Sequence, residues 1–100
     1  MFRVLDSAGV DVVLAGHDHI YERFAPMNDD GKPDEDGVRQ FVVGTGGAGL
    51  YAIRDIAPNS EARTNDHYGV LKLTLRPESY SWNFITIQGG FTDTGTTTCR

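Results

Sequence analysis

The hydrophobic pattern of residues 1–15 changes from helical spacing to a continuous apolar run. Phe2, Leu5 and Gly9 keep approximate helical spacing, and a glycine at position 9 suits the C-terminus of a helix. Residues 10–15 read Val-Asp-Val-Val-Leu-Ala, and this nearly all-apolar run predicts a short strand in a sheet covered on both faces. A helix over residues 2–9 that leads into a buried strand is typical of an α/β protein.

Further segments along the chain carry the patterns of strands. Residues 38–43 read Val-Arg-Gln-Phe-Val-Val, which predicts a strand, and they run directly into the glycine-rich segment 44–49. Residues 68–75 and 80–87 alternate between apolar and polar positions on either side of a four-residue turn, so they predict a β-hairpin. The pattern therefore predicts a β-rich second half that closes on a hairpin.

The remaining segments carry no regular pattern. Residues 25–37 and 51–66 are polar and irregular, and we expect them to form loops. Residues 89–100 combine glycine, aspartate and five threonines, and we expect a flexible tail there. One helix end, two strands and a hairpin are too few elements to cover a sheet, so the chain is expected to be a piece of a longer domain.

Composition and charge exclude several classes of protein. Hydrophobic residues make up 39% of the 100 residues and charged residues 23%, which is enough apolar material for a modest core. No apolar run approaches the roughly 18 residues of a membrane-spanning helix, so no membrane partner is expected. The formal net charge is −5, and residues 28–37 alone carry five acidic side chains against Lys32. This balance argues against a nucleic-acid partner bound through general basicity.

The candidate chemistry lies at residues 16–19, Gly-His-Asp-His, directly after the predicted strand 10–15. Ligands and catalytic groups gather at the C-terminal ends of strands in open α/β sheets. Neutral imidazole is a common metal ligand, and side chains two residues apart on an extended segment point to the same side. His17 and His19 can therefore share one metal ion or each hold one ion of a close pair. Gly16 lets the backbone approach an ion without a Cβ atom in the way.

A resemblance to a known family extends this motif. Residues 10–23, in which Gly-His-Asp-His-Ile is followed by Tyr-Glu-Arg, resemble the last signature block of the calcineurin-like metallophosphoesterases. The block is similar to that of the purple acid phosphatase-like branch, where Gly-His-x-His is followed by the same Tyr-Glu-Arg. Residues 40–48 resemble the strand and glycine-rich loop that come next in this branch, and residues 68–82 resemble its closing hairpin.

The resemblance implies a fold and an activity. The implied fold is α/β, with residues 1–100 forming the C-terminal half of a two-sheet αββα sandwich, which is a single metallophosphoesterase domain. The implied activity is that of a hydrolase, in which two metal ions activate a water molecule against a phosphate ester and no side chain is the nucleophile. His19 would ligate the first metal and His17 the second. The metals implied are iron, zinc or manganese.

Three residues beside the two histidines are candidates for supporting them. Asp18 can orient an imidazole, and Glu22 and Arg23 can pair with each other or brace the turn. The glycine-rich segment 44–49 lacks the Lys-Ser/Thr of a phosphate-binding loop, so it is interpreted as a turn that passes close to the histidines. The family's earlier ligand blocks are not part of the resemblance. We therefore expect a missing N-terminal half of the same domain as a partner, and we expect the 100 residues alone to be inactive.

Two alternative functions remain open. The chain can be a β-rich accessory or interaction module in which the His-x-His motif is incidental, since short motifs also occur by chance. It can also be a mononuclear metal protein of cupin type, although Glu22 lies closer to the second histidine than the glutamate of such barrels. His67 is a lone histidine and is interpreted as a surface or capping residue. Residues 28–37 do not fit a calcium-binding loop because Lys32 occupies the first ligand position.

The single cysteine leaves the compartment of the protein open. Cys99 can form neither a disulfide within the chain nor a thiolate metal site. A chain with one cysteine is cytoplasmic by default, whereas the resemblance implies a secreted or periplasmic enzyme in which Cys99 pairs with a cysteine outside these residues.

Overall fold

The computed structural model describes residues 2–53 and 55–100, which fold into one short helix and two β-sheets. The helix is α1 (Phe2–Ser7), and the strands are β1 (Val12–Ala15), β2 (Tyr21–Phe24), β3 (Arg39–Val43), β4 (Ser60–Thr64), β5 (Gly69–Leu75), β6 (Ser79–Thr86) and β7 (Asp93–Thr98). Within the described residues, no helix has the length and apolar character needed to cross a membrane. The chain is β-rich with two sheets and little helix, as the sequence predicts for a β-rich piece.

The helix α1 ends on the glycine that the sequence indicates. Gly9 adopts the left-handed conformation, with φ of 79°. The N–H of Val10 donates to the carbonyl of Leu5 and the N–H of Gly9 to that of Asp6, each at 3.1 Å. This pair of bonds is the Schellman arrangement, which satisfies carbonyls that a helix C-terminus leaves unpaired. Residues 8 and 9 therefore close the helix, so that it is shorter than the range 2–9 predicted from the pattern.

The first sheet has the strand order β1-β3-β2-β4. β1 and β3 pair in parallel, with Leu14 opposite Phe41, and they are the two apolar strands that the sequence predicts. β2 pairs antiparallel with both neighbours, since Tyr21 lies opposite Val43 on one side and Thr64 on the other. The sequence pattern does not predict β2 or β4, because both are short and rich in polar residues and depend on hydrogen bonds to their neighbours.

The second sheet has the order β5-β6-β7. β5 and β6 form the predicted hairpin, in which Leu73 lies opposite Trp82. The side chains of Tyr80, Trp82 and Phe84 are buried, whereas Asn83 between them is exposed. The predicted alternation of β6 is therefore confirmed, with its aromatic face turned inward.

Strand β7 corrects the expectation of a flexible tail over residues 89–100. Residues 93–98 pair antiparallel with β6 along their whole length. Threonine favours the pleated conformation, and alternate residues of β7 are exposed, as in an edge strand with one face turned to water. Beyond β7, the guanidinium of Arg100 donates to the carboxylate of Asp6 at 2.5 Å, so the end of the chain contacts the helix. Residues 93–98 themselves contain no large apolar side chain, which is why their pattern does not reveal the strand.

Aromatic side chains from both sheets form one core. Tyr21 and Phe41 of the first sheet meet Tyr80, Trp82 and Phe84 of the second, and each of the five is at most 5% exposed. The rings of Tyr21 and Phe84 stack with their centroids 4.0 Å apart. Burying a side chain of this kind stabilises a fold by about 1.5–3 kcal/mol. The core therefore holds β2 and β3 firmly against the second sheet, at the base of the segment that carries the histidines.

Apolar side chains remain exposed where the edge strands β1 and β5 face each other. Leu14 is 58% exposed and Val70 is 61% exposed. An open gap lies between the two edges, and its apolar walls are Leu14, Val43, Leu71 and Leu73. We call the space lined by these four side chains the edge gap. It lies beside Gly16, at the end of β1 where the histidine segment begins.

Candidate metal-ligand site

Residues 16–20 form a loop between β1 and β2, and we call them the histidine loop. The side chains of His17 and Asp18 are exposed, and that of His19 is half-buried. The N–H of Ile20 donates to the carbonyl of Asp18 at 2.9 Å, which tightens the loop from within. Both histidines therefore lie at the C-terminal end of β1, as the sequence predicts. The predicted burial of this strand on both faces is wrong for the described residues, because β1 is an edge strand and Leu14 is exposed.

The histidine loop rests directly on the first glycine after β3. A Cβ atom at Gly44 would lie 2.0 Å from the carbonyl oxygen of Asp18 and 2.9 Å from that of Gly16, so a side chain has no room there. The N–H of Gly44 donates to the carbonyl of Ile20 at 2.9 Å. The glycine-rich segment passes close to the histidines, as its interpretation from the sequence requires.

Gly16 plays a smaller part than the sequence indicates. Its φ lies outside the left-handed region, so its backbone conformation is open to other residues. A Cβ atom there would lie 3.3 Å from the carbonyl oxygen of Val43, which is close but not a severe clash. The glycine that the packing requires is therefore Gly44, directly after the neighbouring strand β3.

His19 is held in one orientation by the segment beyond Gly44. Its Nδ1 atom lies 2.8 Å from the carbonyl oxygen of Gly49. A carbonyl oxygen only accepts, so Nδ1 carries the proton and Nε2 keeps a free lone pair. The imidazole also stacks on the ring of Tyr51, with centroids 4.4 Å apart and planes 29° apart. This is the arrangement of a ligating histidine, in which one nitrogen is fixed by a hydrogen bond and the other is presented to a metal.

His17 differs from His19 in its surroundings. It is exposed, and within residues 2–53 and 55–100 its ring makes no hydrogen bond or stacking contact. In the same part of the chain, no group of three or more histidine, cysteine, aspartate or glutamate side chains is arranged to hold a metal ion. The histidine loop therefore offers at most part of a ligand set.

The three residues predicted to support the ligands lie in different surroundings. The backbone carbonyl of Asp18 contacts Gly44, while its carboxylate is in solvent and bonds to neither imidazole in the described residues. Glu22 is only 8% exposed and lies opposite Val42 on β3. The guanidinium of Arg23 binds carboxylates between the two sheets. Their supporting role at the ligands stays a prediction. Arg23 pairs with Asp93 and Glu61 and, within the described residues, not with Glu22.

A largely buried polar cluster, with Glu61 at its exposed edge, joins β2 to β7, and the sequence pattern does not predict it. Both the Tyr21 hydroxyl, at 2.5 Å, and the Arg23 Nε, at 2.8 Å, donate to Oδ2 of Asp93. The Arg23 Nη2 donates to Oδ1 of the same carboxylate at 3.1 Å, so the ion pair is bidentate. The other guanidinium nitrogen, Nη1, donates to Glu61. We call Tyr21, Arg23, Arg39, Glu61 and Asp93 the inter-sheet cluster.

Arg39 completes the inter-sheet cluster from β3. Its Nη1 donates to Oε1 of Glu61 at 2.8 Å and to the carbonyl of Phe24 at 2.9 Å. The guanidinium carbons of Arg39 and Arg23 lie 4.7 Å and 5.0 Å from the ring centroid of Trp82. The electron-rich face of the indole attracts both guanidinium cations. Four strands of the two sheets are linked in this way.

The cluster sets the ionisation of its members. Burial alone would raise the pKa of Asp93, but hydrogen bonds from Arg23 and Tyr21 hold the pKa of this carboxyl below its usual range. Burial and the hydrogen bond to Asp93 raise the pKa of the Tyr21 hydroxyl well above its usual value. Both shifts favour a neutral Tyr21 that donates to an ionised Asp93. No local signal marks this pairing in the sequence, because its partners lie 70 or more residues apart.

His67 lies in a small polar cluster of its own. Its Nδ1 is 2.7 Å from both the hydroxyl of Thr64 and the carboxylate of Asp66, and its ring packs on Phe91. The hydrogen bond from Thr64 is the main cause of a lowered pKa at Asp66, and the neighbouring His67 adds to it. These contacts agree with the sequence interpretation of His67 as a capping or surface residue.

Comparison with known proteins gives a partial match. A protein from Arabidopsis thaliana, "Probable inactive purple acid phosphatase 1", is 36% identical over 74 residues. The match covers 65% of this chain and 12% of the length of that protein. No family model and no solved structure matches the chain. The match supports a link to purple acid phosphatase-like proteins over part of the chain.

Proposed function

We propose that this chain is the C-terminal part of a binuclear-metal phosphoesterase, to which it supplies His17 and His19 as metal ligands. The observation that carries the proposal is the hydrogen bond from His19 Nδ1 to the carbonyl of Gly49, at 2.8 Å, which leaves Nε2 free to ligate. The similarity to a purple acid phosphatase-like protein supports the same function class.

The donor atoms of the histidine loop fit such a metal pair. Imidazole nitrogen suits zinc and iron, and both rings belong to one short loop at the end of a strand. When bound, a pair of metal ions supplies Lewis-acid activation of a water molecule for attack on a phosphate ester. The role of this chain in such a site is to hold the two imidazole ligands. His19 does so through a fixed ring, and His17 does so from an exposed position that leaves its ring room to turn.

The other ligands would come from an N-terminal half of the same domain. A zinc ion alone takes about four ligands, and two imidazoles do not complete even one such site. β1 is a parallel strand at the edge of its sheet, whereas parallel strands are ordinarily covered on both sides. The edge gap beside it is apolar and open, as expected for a surface that packs against further strands. The chain also spans only 12% of the length of its similar protein.

A non-catalytic phosphatase-like protein is the second candidate. The similar plant protein is named as probably inactive, and a chain of this kind can keep the fold without hydrolysing a substrate. In that case, the inter-sheet cluster and the core would be as described, and the two histidines would not be needed for metal binding. The β-rich accessory module that the sequence leaves open belongs to this class.

Zinc binding by the 100-residue chain tests the proposal. We expect weak binding by isothermal titration calorimetry, and we expect His17→Ala and His19→Ala each to weaken it about tenfold or more. His67→Ala is the matched control, since it removes the third histidine of the chain outside the histidine loop. Loss of zinc binding in the control alone, or no zinc binding by the wild-type chain, would contradict the ligand role and favour the second candidate.

The DNA upstream of the codon for Met1 tests the other half of the proposal. In-frame ligand blocks of the Asp-x-His, Gly-Asp and Gly-Asn-His types would support a longer binuclear enzyme. A stop codon directly upstream would contradict the missing half of the domain. Hydrolysis of a phosphate ester by the purified 100-residue chain would contradict it as well, because the chain would then need no further ligands.

A further inference from the structure

We infer that Tyr51 is a positioning residue for His19, which it holds, together with the carbonyl of Gly49, in the single ring orientation and tautomer that a metal ligand needs. The inference rests on the proposed function, since it assigns Tyr51 a part in the same site. It also assigns a role to the glycine-rich segment. Residues 44–51, which we call the arm, hold the imidazole of His19.

Three contacts join the arm to His19. The Nδ1–H of His19 donates to the carbonyl of Gly49 at 2.8 Å. The N–H of Tyr51 donates to the carbonyl of His19 at 3.0 Å. The ring of Tyr51 lies over the imidazole, with centroids 4.4 Å apart. The backbone bond fixes the distance between the two segments, and the two side-chain contacts fix the ring.

The stacking contact is needed because the hydrogen bond alone is open to water. His19 is half-buried, so water can compete for both its Nδ1–H and the carbonyl of Gly49. A neutral imidazole in water exchanges its proton between the two nitrogens and turns about its side-chain bonds. An aromatic ring over one face removes water from that side and restricts the turning. Tyr51 thus keeps Nε2 free of a proton and aimed away from the arm.

Tyr51 lies outside the core, so its side chain has a role other than core packing. Its side chain is 46% exposed, and it does not belong to the aromatic core between the sheets. A large aromatic side chain at such an exposed position contributes little to packing, yet here it contacts a predicted metal ligand. Tyr68 is a second tyrosine on the surface, at 36% exposed, and makes no stacking contact with a histidine in the described residues.

The tautomer of His19 can be measured without any metal. In ¹⁵N-labelled chain at about pH 8, above the ordinary histidine pKa of about 6.5, long-range ¹H–¹⁵N spectra report which ring nitrogen carries the proton. We expect one tautomer at His19, with the proton on Nδ1, and a mixture at His17. Tyr51→Leu, which keeps apolar bulk, should turn His19 into a mixture, and Tyr51→Phe should keep the single tautomer. Tyr68→Leu is the matched control and should leave His19 unchanged.

Two results would overturn the inference. In the first, His19 keeps a single Nδ1–H tautomer in Tyr51→Leu, and the carbonyl of Gly49 is then sufficient by itself. In the second, Tyr51→Phe is as disruptive as Tyr51→Leu, and the hydroxyl, not the stacked ring, is then responsible. Unchanged amide signals of the β5–β6 hairpin serve as the check that each variant is folded, since Tyr51 makes no contact with the core.

Zinc titration separates this inference from the proposed function. If both hold, Tyr51→Leu weakens zinc binding about tenfold, as loss of an orienting contact does, and Tyr51→Phe binds as the wild type does. If the wild-type chain binds no zinc but its His19 tautomer depends on Tyr51, the proposed function fails while the positioning contact stands. If zinc binds with the same affinity in Tyr51→Leu, the positioning role fails and the ligand role remains.

Discussion

One continuous motif supplies the histidine loop and two members of the inter-sheet cluster, Tyr21 and Arg23, but the two regions are built in opposite ways. The loop is exposed and is held by backbone contacts to Gly44 and by the stacked ring of Tyr51. The cluster is largely buried, with Glu61 at its exposed edge, and is held by charged side chains that reach from one sheet to the other. Gly-His-Asp-His supplies the surface part, and the Tyr-Glu-Arg that follows supplies the buried part. The motif thus combines a candidate ligand site with the strand that fixes it to the fold.

The shared strand β2 shows how the two regions depend on each other. Tyr21 and Arg23 point to the same face of β2 and bind the same carboxylate of Asp93. That carboxylate comes from β7, near the end of the chain, so the pairing of the last strand adds a contact that fixes the start of β2. The position of the histidine loop is therefore expected to depend on β7. Changes in the cluster should reach the loop, whereas changes in the loop should not reach the cluster.

The largest effect is expected from Asp93→Asn. The substitution keeps the shape of the side chain but removes the charge that Arg23 faces between the sheets, where only 9% of the Asp93 side chain is exposed. Breaking such a buried pair costs about 3 kcal/mol. We expect a loss of this size in the free energy of unfolding, measured by urea denaturation followed by tryptophan fluorescence. Amide signals of the histidine loop should shift as well, because β2 loses a contact to β7.

Exposed Glu78 and the pH dependence of stability provide the controls for this change. Glu78→Gln removes an acidic charge from the hairpin turn of the same sheet, and it should leave the urea midpoint nearly unchanged. Because the pKa of Asp93 is held below its usual range, its contribution is complete above the unfolded value of about 3.9 and is lost as the pH falls through the folded value. Asp93→Asn should therefore flatten the acid limb of the stability profile. An equal loss of unfolding free energy in Asp93→Asn and Glu78→Gln would contradict the dependence of stability on the buried pair.

A smaller effect is expected from Gly44→Ala, which acts on the loop and not on the cluster. The new methyl group would lie 2.0 Å from the carbonyl oxygen of Asp18, so the histidine loop must move away from β3. Such overpacking costs about 1–3 kcal/mol. We expect a lower urea midpoint together with large amide shifts in residues 16–20, while the signals of the inter-sheet cluster stay in place.

Gly46→Ala is the matched control for Gly44→Ala. It lies in the same glycine-rich segment, its φ lies outside the left-handed region, and a Cβ atom there would meet nothing within 4 Å. Alanine at such a site stabilises slightly, by about 0.4–1 kcal/mol, because the unfolded chain loses freedom. If both alanine variants behave alike, the close approach of the loop to Gly44 is not what fixes it.

The sequence predicts the parts of this fold that are apolar and local. α1, β1, β3 and the β5–β6 hairpin carry their own signals in helical spacing, continuous apolar runs and alternation. β2, β4 and β7 are polar, and their pairing comes from neighbours that lie far away along the chain. The same limit applies to the site. His17 and His19 can be named from spacing, but Tyr51 and Asp93 become visible only when loops and strands from separate segments meet.

The smallest effect is expected from the two histidines themselves, and it is unequal. His17→Ala removes an exposed ring that makes no hydrogen bond or stacking contact within the described residues, so the free energy of unfolding should change by less than about 0.5 kcal/mol. His19→Ala removes the hydrogen bond to Gly49 and the stacking on Tyr51, and it should cost about 1 kcal/mol. Urea denaturation of both variants in parallel, without metal, measures the difference. If His17→Ala is the more destabilising of the two, then the histidine loop holds its first imidazole and not its second, and the assignment of Tyr51 to His19 would have to be reversed.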